Sequence, residues 1–216
     1  MKLLFLDIDG VLNSEKYAIW CTENDEGKEY IKNGGDIFID KKAVFRIKEL
    51  CEKYNVRLVI SSSWRIFTLE ATKHEFERYK DLKPLNKYIV GITPNYINLD
   101  NIPRGKEIDD FLAIVLDKSA QTSNIVLYDI NFFNSDDLNI EYCIVDDDKD
   151  MLDKQMNNFV HIDNYTGITD NDIEKLLSGQ IIAKSLKKDD KSWKQKLKLS
   201  SDFKLEFVKE ENVLPD

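Results

Sequence analysis

The residues best able to do chemistry stand at the ends of short apolar runs. "LLFL" at residues 3–6 stops at "DIDG", two aspartates one residue apart with a glycine behind them. An ionised carboxylate avoids apolar surroundings unless it is paired or binds a metal, so Asp7 and Asp9 need a reason to follow a buried run. Two later runs end in the same manner, "RLVI" at "SSSWR" and "YCIV" at "DDDKD". Taken together, the ends offer a pair of carboxylates, then serine hydroxyls with an arginine, then Asp146, Asp147, Asp148 and Asp150. If these ends are neighbours, their acidic oxygens repel one another unless a hard divalent cation sits among them, and Mg²⁺ prefers such oxygens. A cation, a nucleophilic carboxylate, a hydroxyl donor and a basic side chain are the parts of phosphoryl transfer, which works by positioning and by neutralising phosphate charge.

A sheet has to bring those ends together. Residues 2–6 and 56–60 read as buried strands, and 125–128, 142–145 and 159–162 are further apolar runs. Ala43, Val44, Ile47, Leu50, Cys51 and Tyr54 recur at helical spacing, with Asp40 placed to cap the start. From Arg104 onward, Ile108, Phe111, Leu112, Val115 and Leu116 fall on one helical face. Thr169 with Asp172 forms a capping signal for a helix carrying Ile173, Leu176 and Leu177. Continuous apolar strands alternating with amphipathic helices predict an α/β fold, a doubly wound parallel sheet covered on both faces. Ligands of such sheets bind outside the carboxyl ends of the strands, where the polar residues above stand. Residues 13–39 and 66–103 exceed ordinary strand-to-helix loops and read as small cap insertions over the strand ends.

At 216 residues and 42% hydrophobic, the chain can bury a core. We divide it into a main domain over residues 1–178 and a charged C-terminal extension over 179–216. In that extension, residues 184–198 carry seven lysines against two aspartates around Trp193, and Phe203, Leu205 and Phe207 then alternate. The lysine run reads first as a solvated helix face, and binding of a phosphate backbone is the sharper alternative. A net charge of -9 argues against a broadly basic nucleic-acid face. Cys21, Cys51 and Cys143 lie far apart without a metal-binding spacing and read as buried thiols in a reducing compartment. Leu3–Leu6 is too short for a signal-peptide core or a membrane span, so a cytoplasmic location is expected.

"DIDG" after the first strand resembles the DxDG signature of the haloacid dehalogenase (HAD) superfamily of phosphatases, and the later strand ends fall in that superfamily's order. More closely, "SSSWR", "RGKEIDDFL", "VDDDKDM" and "NFVHIDNYTGIT" together resemble the HAD domain of Swiss-army-knife RNA repair proteins, over roughly residues 1–178. The resemblance implies a Rossmannoid fold and an aspartyl-phosphate mechanism. It makes Asp7 the nucleophile, and Asp9 the general acid and then base, its backbone carbonyl helping to hold Mg²⁺. It makes Ser61 a hydrogen-bond donor to the phosphoryl group, with Ser62 as the neighbouring alternative. Either Arg104 or Lys106 would neutralise the intermediate, and Asp146 with Asp147 would complete the metal site. Arg65, a planar fork beside a serine-rich turn, suits contact with a substrate phosphate.

Other readings of these motifs fail on particular residues. Asp146, Asp148 and Asp150 mimic the start of an EF-hand loop, but Met151 and Asn157 stand where glycine and glutamate are required. A receiver domain wants its reactive aspartate on the third strand, whereas this pair follows the first. Trp64 reads as packing before substrate stacking. The expected function is therefore a Mg²⁺-dependent phosphoric monoester hydrolase. A modest cap favours a bulky substrate, with a terminal phosphate of RNA or DNA first. The alternatives are a phosphatase or phosphotransferase for small phosphorylated metabolites, and a non-catalytic binding protein on the same fold.

Overall fold

Consecutive apolar residues suit a strand only when both its faces are covered. The computed structural model, which describes residues 1–96, 102–116, 127–134 and 139–178, uses them in that way. Strands β1 (Lys2–Leu6), β2 (Val56–Ile60), β3 (Ile89–Ile92), β4 (Glu141–Asp146) and β5 (Phe159–His161) form one all-parallel sheet in the order β3-β2-β1-β4-β5. The helices are α1 (Glu15–Glu23), α2 (Asp25–Lys32), α3 (Lys41–Tyr54), α4 (Leu69–Arg78), α5 (Arg104–Leu116), a short α6 (Ile130–Phe133) and α7 (Asp170–Ser178).

Alternation along each strand assigns the two faces. Leu4, Leu6, Leu58 and Ile60 pack with Val44 and Ile47 of α3, Phe76 of α4 and Leu176 of α7. Leu3, Phe5, Val59 and Ile144 meet Ile108, Phe111 and Val115 of α5 and Phe133 of α6 on the other face. The fold is therefore the expected α/β sheet with helices on both sides. The expected caps are present too. Asp40 accepts from the Lys42 N–H at 2.8 Å at the start of α3, and Asp172 accepts from the Thr169 N–H at 3.0 Å at the start of α7.

The two long segments behave differently. Residues 13–39 are an excursion: the Asp40 N–H donates to the Leu12 carbonyl at 2.8 Å, so the chain leaves and returns at one place. Helices α1 and α2 within it gather a separate small core of Tyr17, Trp20 and Cys21. The segment 66–103 carries α4 and β3, and Phe76 of α4 is fully buried against the sheet. Strand β3 escapes notice in the sequence because it has four residues and contains Gly91. That glycine is required by packing, since a Cβ there would stand 2.6 Å from the Phe111 ring.

The apolar run expected as a parallel strand at 125–128 is corrected in its described part. Leu127 accepts from Ile92 N–H at 2.8 Å and Asp129 N–H donates to Val90 at 2.9 Å, with an antiparallel bridge between Gly91 and Tyr128. This stretch runs against the edge of β3 in the opposite direction. Residues 97–101, 125 and 126 and the whole extension 179–216 lie outside the described residues. Among the described residues, no helix is long and apolar enough to cross a membrane.

Strand order locates the crevice. From β1 the chain passes to β2 on one side, whereas β4 is followed by β5 on the other. The gap between the carboxyl ends of β1 and β4 is the switch point at which such sheets bind ligands.

Candidate active site

Register decides which residues share that gap. Leu6 is level with Ile60 on one side and with Val145 on the other, so the next residues, Ser61, Asp7 and Asp146, stand in one row. The pairing continues past the strand: Ser61 N–H donates to Leu6 at 2.9 Å and Asp7 N–H to Val145 at 3.1 Å. Parallel pairing thus places a hydroxyl and two carboxylates side by side.

Asp7 and Asp146 are 4% and 1% exposed. Carboxylate oxygens of Asp7, Asp146 and Asp147 all lie within 4.8 Å of one another. Asp7 Oδ1 and Asp146 Oδ2 are buried without a hydrogen-bond partner. Burial pushes both carboxyl groups well above the usual carboxylate range; the Arg104 charge opposes this at each, and for Asp146 the Asp7 charge adds to it. Burial likewise raises Asp147, with Asp148 beside it contributing. Orphaned anionic oxygens in such a cluster are what a hard cation satisfies, so the donor set fits Mg²⁺.

Gly10 makes the third ligand possible. Its φ is +66°, and a Cβ there would fall 2.2 Å from Asp147 Oδ2. The glycine of "DIDG" therefore serves both the turn and the approach of Asp147.

Asp9 is exposed and its carboxylate is held by its own set of partners. Its Oδ1 accepts from Asn13 Nδ2 at 2.8 Å and from Trp64 Nε1 at 2.9 Å, while its Oδ2 accepts from Ser63 Oγ at 2.8 Å. Its charge still reaches Asp7 and Asp147, raising both. The carboxylate of Asp9 is not in the metal-ligand cluster.

Comparison with known families agrees with this geometry. The family described as "HAD domain in Swiss Army Knife RNA repair proteins" matches residues 3–173. The chain belongs to this HAD-domain family. No curated protein and no solved structure gives a significant match.

Within this HAD domain the two basic candidates separate. Arg104 Nε lies 3.7 Å from Asp146 Oδ2, and its charge acts on both Asp7 and Asp146. Lys106, two residues further along α5 and so on a different face of the helix, forms an ion pair with Asp110. Asp150 caps the helix that presents them, accepting from Arg104 N–H at 2.8 Å. Among the four aspartates of "DDDKD", Asp146 and Asp147 join Asp7, whereas Asp148 donates its N–H to Asp146 Oδ1 at 2.9 Å.

The serines divide the work. Ser61 is 1% exposed and its hydroxyl has no hydrogen-bond partner among the described residues. Ser62 is fully buried, accepts from Ile8 N–H at 3.3 Å and from Trp64 N–H at 3.4 Å, and its side chain lowers the Asp7 carboxyl against the effect of burial. Arg65, expected at a substrate phosphate, is engaged inside the protein, where the charges of Asp7 and Arg104 also act on it. Its guanidinium is buried against Glu107 Oε2 at 2.6 Å and donates to the Pro94 carbonyl at 3.1 Å. Glu107 sits one turn beyond Arg104 on α5, so this pair braces the end of β2 against the helix bearing the cation. Burial holds Arg65 down at about 10, with Glu107 opposing.

Three residues of the site were missed by sequence reasoning. Asn13 and Ser63 carried no signal beyond their nearness to "DIDG" and "RLVI", and Glu107 carried none beyond its place in "RGKEIDDFL". Trp64 does pack, its ring centroid 5.0 Å from that of Tyr79, yet its N–H also holds Asp9. A separate cavity of about 590 Å³ between α1, the start of α3 and the loop before α7, lined by Ser14, Trp20, Asp40 and Thr169, contains none of the clustered carboxylates.

Proposed function

We propose that the chain is a Mg²⁺-dependent phosphatase that works through an aspartyl phosphate on Asp7 and acts on terminal phosphates of RNA or DNA. One observation carries the reading. The oxygen cluster of Asp7, Asp146 and Asp147 stands at the switch point of the sheet with the Arg104 cation beside Asp146, and Ser61, whose hydroxyl has no partner among the described residues, follows the neighbouring strand in the same row.

When bound, Mg²⁺ would be held by Asp7, Asp146, Asp147 and the Asp9 carbonyl, and would neutralise the crowded carboxylates and a phosphate oxygen together. Asp7 attacks phosphorus with one carboxylate oxygen as the bond to the leaving oxygen breaks. Asp9 protonates that leaving oxygen, then takes a proton from the water that attacks the phosphorus of the aspartyl phosphate as the bond from phosphorus to the Asp7 oxygen breaks, which releases phosphate and restores the carboxylate. Ser61 and Ser62 donate to the phosphoryl oxygens or to Asp7, and Arg104 stabilises the negative charge. The RNA repair proteins in which this HAD-domain family occurs support a nucleic-acid end as substrate. The free, buried Cys21, Cys51 and Cys143 support a reducing cytoplasmic setting.

Two measurements test the reading. Beryllofluoride with Mg²⁺ raises the melting temperature through binding to the native site, and no shift at saturating ligand contradicts it. Phosphate release from oligonucleotide ends exceeds release from sugar phosphates. The reverse preference overturns the nucleic-acid substrate and leaves a metabolite phosphatase.

A further inference from the structure

The hydrogen bonds to Asp9 are chemically unequal. Trp64 Nε1 is only ever a donor. The Asn13 amide is oriented by Gly10, whose N–H donates to Asn13 Oδ1 at 2.8 Å, so its Nδ2 faces Asp9 and is also only a donor. Both of these donors land on Asp9 Oδ1. Asp9 Oδ2 has a different partner, the Ser63 hydroxyl, which can donate or accept by rotating. A proton on Oδ1 would confront two N–H groups that cannot reverse. A proton on Oδ2 meets a hydroxyl that can.

We propose that Trp64 and Asn13 are positioning residues that reserve Asp9 Oδ1 as a pure acceptor, so that Asp9 exchanges its proton through Oδ2 alone, beside a reversible Ser63 hydroxyl. In the first half-reaction the Oδ2 proton passes to the leaving oxygen as its bond to phosphorus breaks. In the second, Oδ2 receives a proton from the attacking water, and Ser63 keeps its own hydrogen throughout. Trp64 is suited to the task because its ring is anchored against Tyr79 and the core, which fixes the direction of its N–H. The carboxylate is thereby aimed although Asp9 itself is exposed.

The inference rests on the phosphatase reading, and the test separates the two. The value of kcat/KM reports the transfer step, in which an alkyl phosphate needs its leaving oxygen protonated and p-nitrophenyl phosphate does not. Full-length wild type, Trp64→Phe, Asn13→Ala, Ser63→Ala and Ser63→Thr are assayed with both esters in Mg²⁺. Trp64→Phe keeps an aromatic ring on Tyr79, loses the donor and gives up part of the indole's packing volume. We expect it to lower kcat/KM for the alkyl ester by about tenfold, a part of what a positioned acid supplies, with p-nitrophenyl phosphate changed less than about threefold. Asn13→Ala shows the same split, which keeps the test intact if the tryptophan variant folds poorly. Ser63→Ala loses less than Trp64→Phe, and Ser63→Thr restores what is lost. Equal losses on both esters, or no loss on the alkyl ester, overturn the inference while leaving the phosphatase reading in place. A wild type that hydrolyses neither ester overturns both.

Discussion

Asp7 and Asp9 stand two residues apart and live in opposite surroundings. Asp7 is buried, with one oxygen lacking any partner and the carboxylates of Asp146 and Asp147 within 4.8 Å. Asp9 is exposed, with both oxygens engaged by Asn13, Ser63 and Trp64. A buried, under-satisfied anion is poised to bond to something absent from the chain, a cation or an electrophile. A solvated anion held by three directed donors has its orientation fixed and its proton exchange open. The pair shows how one short motif prepares two carboxylates for different work by placing one inside the sheet edge and the other outside it.

The largest effect expected from this contrast is on Asp7 itself. Asp7→Asn lowers turnover of a generic phosphate ester by at least about 10⁴-fold with the fold intact, as read by steady-state kinetics beside circular dichroism. Normal turnover removes Asp7 as nucleophile. Asp9→Asn comes next, with a loss of about 10²-fold or more on an alkyl phosphate, again without unfolding.

The cationic side of the site yields a second contrast. Arg104→Ala lowers kcat by about 10²-fold, whereas Lys106→Ala changes it by less than about threefold, because Lys106 is occupied by Asp110. Reversed magnitudes would assign the neutralising charge to Lys106. Arg65→Met takes the close partner from the buried Glu107 and leaves it Arg104 at 3.8 Å and the Tyr96 N–H, so chemical denaturation should show about 3 kcal/mol lost. Retained stability with lost substrate affinity would return Arg65 to the substrate.

The smallest effect concerns pH. Asp146 has a folded pKa raised above its unfolded value, so the native state binds its proton more tightly than the unfolded chain does. That contribution to stability is present at low pH and is lost as pH rises from the ordinary carboxylate range, near 4, through the raised folded value. In metal-free buffer, the melting temperature of Asp146→Asn minus that of wild type therefore grows as pH rises over this window. Saturating Mg²⁺ shrinks the difference. A difference independent of pH would show that Asp146 is not strained by burial.

Much of this was legible in the sequence for physical reasons. β1, β2 and β4 are continuous apolar runs that end abruptly in polar residues, and a parallel sheet aligns such ends without further instruction. Asp7 and Asp9 could be grouped with Asp146, Asp147, Asp148 and Asp150 for that reason, and the family resemblance singled out Asp146 and Asp147. What stayed hidden depends on contacts between distant segments. β3 is short, interrupted by Gly91, and recognisable only once Phe111 packs onto it. The choice between Arg104 and Lys106 turns on which face of α5 looks toward β4. The burial of Arg65 depends on Glu107, 42 residues away. The clamp on Asp9 joins two strand ends through Trp64, whose apolar ring concealed a polar task.

The most direct test of the central claim is to trap the intermediate. Protein turning over a phosphate ester in Mg²⁺ is quenched in acid, digested and mapped by mass spectrometry. We expect a hydroxylamine-labile phosphoryl group on the peptide containing Asp7, absent from Asp7→Asn. Turnover accompanied by a phosphoryl group on another residue, or by none on Asp7 across the quench series, would contradict the account.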